Sequence, residues 1–189
     1  ASLFRRRSAS ENCGRSFFLL PRQDIPMTRT AYDHLALMIE AHADKIAIRF
    51  EDETLTYTAL GDAIDIAARH LQALGIGKGS PFAAYAQNRA ELMIAYYAAA
   101  RLGAGFVPLN PHLTAAEVEY AFTHSGAAIL FHDDLGADIA RKAARASTLR
   151  NLAELRAPAD SLPPLTETAI TSGDDFLIIY TSGSTGTPK

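Results

Sequence analysis

Phe176-Leu177-Ile178-Ile179-Tyr180-Thr181-Ser182-Gly183-Ser184-Thr185-Gly186-Thr187-Pro188-Lys189 is the last stretch of the sequence. Its first five residues form a short apolar run that reads as a buried strand. That run passes directly into hydroxyls, two glycines and a lysine. Without a Cβ, the backbone at Gly183 and Gly186 can approach a ligand closely. Thr181, Ser182, Ser184, Thr185 and Thr187 offer hydroxyl donors, and Lys189 adds a positive charge. Successive backbone N–H groups in such a loop can form an anion-binding nest. Following a strand of an α/β sheet, the loop sits at the carboxyl edge, where these folds bind ligands. The residues therefore point to phosphate binding, with a flexible Gly/Ser/Thr linker as the plain alternative. Such a loop normally leads into another element, so the sequence reads as truncated at Lys189.

Upstream, helical and strand patterns alternate. Ala31 to Ala43 shows a helical face at Leu35, Met38 and Ile39. Lys45 to Phe50 and Thr54 to Tyr57 read as strands around the polar turn Glu51-Asp52-Glu53. Thr58 is the expected cap of a helix carrying Leu60, Ile64, Ala67, Ala68, Leu71 and Leu74, which Gly75 ends. Phe82 to Ala86 is a short strand, and Glu91 to Leu102 a helix apolar nearly all round. Gly105 to Leu109 reads as a strand with Pro108 marking its end. Thr114-Ala115-Ala116-Glu117 is a capping box opening a helix that Gly126 closes. Ala127 to Phe131 follows as a strand, and Leu135 to Ala146 as a helix. Arg156 to Gly173 is a polar, proline-containing connector. The alternation predicts an α/β fold around a mainly parallel sheet, the incomplete N-terminal portion of a larger domain.

Composition narrows the class. The 189 residues are 48% hydrophobic and 21% charged, which excludes wholesale disorder. A net charge of −3 gives no electrostatic case for nucleic acid. The single cysteine, Cys13, excludes a disulfide scaffold, and no transmembrane segment is present in the sequence pattern. Residues 1–26 carry Arg5, Arg6, Arg7, Arg15 and Arg22 against Glu11 and Asp24. They read as a disordered basic extension ahead of Met27, or as a transit peptide, whose composition they share. Residues 27–189 are the globular part.

Several other features lack the required spacing. A Walker A loop needs four residues between its glycines, whereas two separate Gly183 from Gly186. Gly75-Ile76-Gly77-Lys78-Gly79-Ser80 is a helix-ending loop, with Gln72 where Walker A needs glycine. Ser182 lacks the Gly-x-Ser-x-Gly setting of a hydrolase nucleophile, Tyr180 standing at the first glycine. His34, His42, His70, His112, His124 and His132 show no metal-ligand spacing. Asp133-Asp134 and Asp174-Asp175 read as surface turns. Tyr96, Tyr97 and Tyr120 are expected to pack rather than to touch substrate.

The stretch from Tyr180 to Lys189 resembles the phosphate-loop signature of the adenylate-forming (AMP-binding) superfamily. That superfamily holds acyl-CoA synthetases, nonribosomal peptide synthetase adenylation domains and luciferases. Leu55-Thr56-Tyr57-Thr58-Ala59-Leu60 resembles its early strand-to-helix motif, and Arg101 to Pro111 its second core motif. Leu113 to Phe131 resembles the helix and strand that follow. The Pro-Leu-Asn-Pro form at Pro108 to Pro111 is most similar to acyl-CoA synthetases. The resemblance implies a cytoplasmic ligase that uses ATP and Mg²⁺ to turn a small-molecule carboxylic acid into an acyl-adenylate. The acyl group then passes to coenzyme A. It also implies that Thr181, Ser182, Gly183, Ser184, Thr185, Gly186, Thr187 and Lys189 hold the ATP phosphates. The family's adenine contacts, magnesium-binding Glu motif, hinge and catalytic Lys belong after this loop. No catalytic residue and no metal ligand is therefore expected within the chain, which is not expected to catalyse adenylation alone. The alternatives are a peptide-synthetase adenylation fragment, a non-catalytic remnant that only binds, and a separate nucleotide-binding module.

Overall fold

The computed structural model describes residues 30–180. At its centre lies β3 (Pro81–Tyr85), with the sequence Pro-Phe-Ala-Ala-Tyr. A strand paired on both edges and covered on both faces has to be apolar throughout. β4 (Gly105–Leu109) and β5 (Leu130–His132) flank it in parallel, and β6 (Leu149–Asn151) pairs with β5, giving the order β4-β3-β5-β6.

Alternation along β3 divides the core in two. Phe82 and Ala84 face one side, Ala83 and Tyr85 the other. Phe82 lies opposite Phe106, ring centroids 5.3 Å apart, and meets the ring of Phe131 edge-on at 5.7 Å. This aromatic layer is covered by α2 (Tyr57–Ala73) through Leu60, Ile64, Ala67, Ala68 and Leu71, and by α3 (Ala90–Leu102). The opposite face is covered by α4 (Ala115–His124) and α5 (Ala137–Ala143), which contribute Val118, Ala121, Ala140 and Ala143. α1 (Ala31–His42) and the antiparallel pair β1 (Ile46–Phe50) and β2 (Glu53–Thr56) pack against α2 and α3. The α/β reading and the mainly parallel sheet hold.

The ends of elements show where local chemistry decided. The Thr114–Glu117 capping box forms as expected: the Thr114 N–H donates to Glu117 Oε2 at 2.8 Å, and the Glu117 N–H to Thr114 Oγ1 at 3.4 Å. α2, however, is capped by Thr56, not Thr58. The Thr56 hydroxyl accepts from the Ala59 N–H at 3.2 Å. Thr56 is the last extended residue of β2, so the helix begins at once, and the Thr58 hydroxyl donates instead to the Ala43 carbonyl. Gly75, at φ +80°, ends this helix in the left-handed conformation, confirming the helix-ending loop.

Pro108 lies within β4 rather than after it. The Phe106 N–H donates outward to the Phe176 carbonyl at 2.8 Å, and the Ile178 N–H returns to the Phe106 carbonyl at 2.9 Å. By alternation the nitrogen of Pro108 faces the same outer side, so no bond to β3 is lost. The next outward donor would be Pro108, which has none. Phe176 to Tyr180 accordingly forms one parallel bridge, Leu177 to Phe106, in place of the full strand expected. Two other elements shrink: the expected strand at Ala127 to Phe131 is Leu130–His132, and the helix after it spans only Ala137–Ala143.

After β6 and a 3-10 turn (Leu152–Arg156), the proline-containing connector crosses α2 as a strap. The Arg69 guanidinium donates to the Leu162 and Pro163 carbonyls. Gln72 donates to the Thr166 carbonyl at 2.8 Å and accepts its N–H at 2.9 Å. The Lys78 ammonium donates to the Ala169 carbonyl and pairs with Asp174 at 2.9 Å.

Phe82 is fully buried at the junction of three strands and two helices. Phe82→Ala is expected to lower unfolding free energy by about 3–5 kcal/mol. Urea denaturation of the chain, followed by circular dichroism, measures the loss; a change under about 1 kcal/mol contradicts the aromatic layer as the centre of the core.

Candidate functional site

The carboxyl ends of β3 and β5 open on a cleft of about 650 Å³. The turn Phe50 to Glu53 forms one wall, Gln87 to Arg89 the second and Asp133 to Leu135 the third. Asp133 organises the floor. It is 4% exposed, which corrects its reading as a surface turn residue. One carboxylate oxygen accepts from the Gln87 N–H at 2.8 Å, the other from the Gly136 N–H at 2.7 Å. The residues leaving β3 and β5 are thereby tied to each other. Asp134 remains outside and accepts from the Asn151 amide at 2.8 Å. Asp174 does behave as a turn residue: the Lys78 ammonium and the Thr171 N–H hold its carboxyl below the usual range.

Tyr85 secures the third strand end. Its hydroxyl lies 2.8 Å from the Pro111 carbonyl and 3.0 Å from that of Leu113, in the loop that leaves β4. Burial, and then the charge of Asp133, push the phenol up, so it stays a neutral donor. Gly136 packs so closely that a Cβ would lie 2.9 Å from the Tyr85 carbonyl oxygen.

A chain of ion pairs borders the cleft. Glu53 meets Arg156 at 2.6 Å, Arg156 meets Glu91 at 3.4 Å, and Arg89 meets Glu91 at 2.8 Å. Burial pulls the Glu91 carboxyl up, but the Arg89 hydrogen bond, its own backbone N–H and the charges of Arg89 and Arg156 outweigh it and hold it down. The sequence reading missed this network because Glu91 and Arg156 lie 65 residues apart. No group of three or more His, Cys, Asp or Glu among the described residues could hold a metal ion.

The sequence-derived phosphate residues, Thr181 to Thr187 and Lys189, lie outside the described residues. Their stem is described. Phe176 to Tyr180 runs in the same direction as β4, toward the carboxyl edge. The Tyr180 hydroxyl lies 2.8 Å from Nδ1 of His124. Of the tyrosines expected to pack, Tyr96 joins an aromatic group with Tyr97, Phe106 and Phe176, and Tyr120 stacks on His124.

Two outcomes follow from the cleft. Gly136→Ala is expected to destabilise by about 1–3 kcal/mol, since backbone must move to admit the Cβ. Gly77→Ala, which has nothing within 4 Å of the new Cβ, serves as the neutral control in the same thermal melts. For Glu91 the folded carboxyl lies below its unfolded value of 4.5. Its stabilisation is therefore present above that pH and lost as pH falls through the lower folded value. The stability gap between the wild-type chain and Glu91→Gln should narrow on acidification below pH 4.5 and stay constant above it.

Residues 36–189 match the family described as AMP-binding enzyme. The chain is 33% identical over 152 residues to surfactin synthase subunit 3 of Bacillus subtilis (strain 168), covering 80% of this chain and 12% of that protein. It is 34% identical over 143 residues to a feruloyl-CoA synthase of an Amycolatopsis species, covering 76% and 29%. Among solved structures, O-succinylbenzoate coenzyme A synthetase of Bacillus subtilis, in complex with AMP, matches with TM-score 0.73 and 28% identity over 86% of this chain and 41% of that one. The chain thus spans under a third of these two curated relatives and about two fifths of the solved one. No helix among the described residues is long and apolar enough to cross a membrane. A parallel α/β sheet with its loops gathered at one edge, together with a match that runs through Lys189, places this chain in the AMP-binding enzyme family, with the fold of the N-terminal part of adenylate-forming enzymes.

Proposed function

We propose that this chain supplies the phosphate-binding part of a cytoplasmic, ATP-dependent acyl-CoA synthetase. The reaction joins a carboxylate to the α-phosphorus of ATP, releasing pyrophosphate; the thiol of coenzyme A then displaces AMP to give the thioester. Residues 27–189 are a partial AMP-binding domain, and residues 1–26 a basic extension outside it. The observation carrying the proposal is the direction of Phe176 to Tyr180, which runs beside β4 toward the carboxyl edge and is followed at once by Thr181 to Lys189. Ligands of α/β sheets bind at that edge.

Within this reading the hydroxyls of Thr181, Ser182, Ser184, Thr185 and Thr187 donate to phosphate oxygens, and Gly183 and Gly186 leave room for the backbone N–H groups to do the same. Lys189 offsets charge that grows on the departing pyrophosphate. When bound, magnesium would offset the same charge on the phosphates, and the resemblance puts its glutamate ligands after this loop. Asp133 and Tyr85 keep the strand ends rigid beneath the site.

A peptide-synthetase adenylation domain is the second reading, favoured by the 33% identity to surfactin synthase subunit 3. Both readings form an acyl-adenylate and differ in its acceptor, coenzyme A or a carrier domain.

Sequencing the gene past the codon for Lys189 is the first test. A frame that continues and supplies a magnesium-binding glutamate motif and a late lysine supports the ligase; an immediate stop codon overturns it. In the protein so encoded, carboxylate-dependent exchange of pyrophosphate into ATP is expected. Lys189→Ala should raise the KM for ATP by about 10- to 100-fold, the worth of one charge-assisted contact. Thioester formation on added coenzyme A separates the two readings.

A further inference from the structure

From Leu162 to Asp174 the strap over α2 contains no fully buried residue; Leu162, Leu165 and Ile170 are only half-buried. Its fit against the helices is loose. A hollow of about 360 Å³ lies between Pro163, Pro164 and the end of α2, and another of about 140 Å³ between Ile170 and the end of α3 at Ala100 and Gly103. Polar contacts at separate points therefore hold the strap, and such a segment can open while the rest stays folded. Between the two hollows stands Glu167, whose partner is Arg101 in the last turn of α3.

That arginine is shared. Its terminal N–H group donates to Glu167 Oε1 at 3.2 Å. On the other side its Nε lies 2.9 Å from Oδ1 of Asp65, on α2. This second contact is ionic only: both atoms are buried, and neither completes a hydrogen bond. The guanidinium also sits over the ring of Tyr32 on α1, 4.7 Å from its centre. Burial pushes the Asp65 carboxyl up; Arg101 pulls it down, while the charges of Glu167 and Asp62 push it up again, and the net direction is up. Burial likewise raises the Tyr32 hydroxyl, which stays neutral. Two carboxylates thus compete for one cation, and they repel each other across it.

We propose that the strap is a detachable lid over the end of α2, latched by Arg101 and Glu167, and that the charge on Asp65 sets how firmly the latch holds. With Asp65 ionised, Arg101 is drawn toward α2 and Glu167 is repelled. With Asp65 neutral, the guanidinium serves Glu167 alone and the lid tightens. This device involves described residues only and is independent of the phosphate-binding reading.

Limited proteolysis with thermolysin, which cuts before large apolar residues, tests it on the protein encoded by the complete reading frame. Fragments identified by mass give the rate of cutting before Leu162, Leu165 and Ile170, which follows the population of the open strap when reclosing is fast. Cutting before Leu130, in β5, reports opening of the whole unit. Glu167→Gln is expected to speed cutting in the strap about 2- to 5-fold, the range for one exposed ion pair, and to leave cutting at Leu130 unchanged. Asp65→Asn, which keeps the size of the side chain and removes its charge, should slow strap cutting by a similar factor. The effect of Glu167→Gln should be larger in the Asp65→Asn background than in the wild type, because the cation is then undivided. Faster strap cutting in Asp65→Asn overturns the proposal, since Asp65 would then hold Arg101 in place for the latch. Equal effects of Glu167→Gln in both backgrounds overturn the competition, and unchanged rates in both single variants overturn the latch. A parallel rise at Leu130 shows that the strap opens only with the whole unit, and that overturns the lid.

Discussion

The parallel pairing of β3 to neighbours on both sides is the constraint from which the rest follows. A central parallel strand has no face left for water, so Phe82, Ala83, Ala84 and Tyr85 must all find apolar partners. Two facing cores result, and each demands its own helices. The crossovers that supply them place every strand-to-helix loop at one edge. The cleft is the geometric outcome of that winding, and it is lined by the polar residues that follow β3 and β5.

Those polar residues then act as ties. Asp133 holds two strand exits through backbone N–H groups, and Tyr85 holds the third through backbone carbonyls. Bonds to backbone fix main-chain positions directly, whereas pairs between side chains leave several rotatable bonds free. The ionic chain of Glu53, Arg156, Glu91 and Arg89 lies above this floor and balances charge along the cleft rim. Rim and floor therefore have different jobs.

Much of this was legible in the sequence because it depends on near neighbours. Capping at Thr114, the stop at Gly75 and the short apolar run of β3 all involve residues within one turn or one strand. What escaped reading depends on partners brought from afar. Asp133 looks like any turn aspartate until Gln87 and Gly136 are seen beside it. Thr56 and Thr58 are equally good caps locally, and the end of β2 chooses between them. Pro108 looked like a strand terminator because its outward direction could not be known before β4 was seen at its place in the sheet. The segment proposed to bind phosphate is the converse case: it lies outside the described residues, its reading rests on its residue types, and the described fold adds only the direction of the stem that leads to it.

The strap over α2 has a consequence in time rather than in space. Its bonds join Arg69, Gln72 and Lys78 to carbonyls 91 to 94 residues further along the chain. Closing a loop of that length has to await the elements between, since its entropy is recovered only when both ends are already ordered. The strap is thus a late arrival during folding. By the same reasoning it is among the first parts to exchange its amide hydrogens with solvent, while β3 stays protected until the whole unit opens.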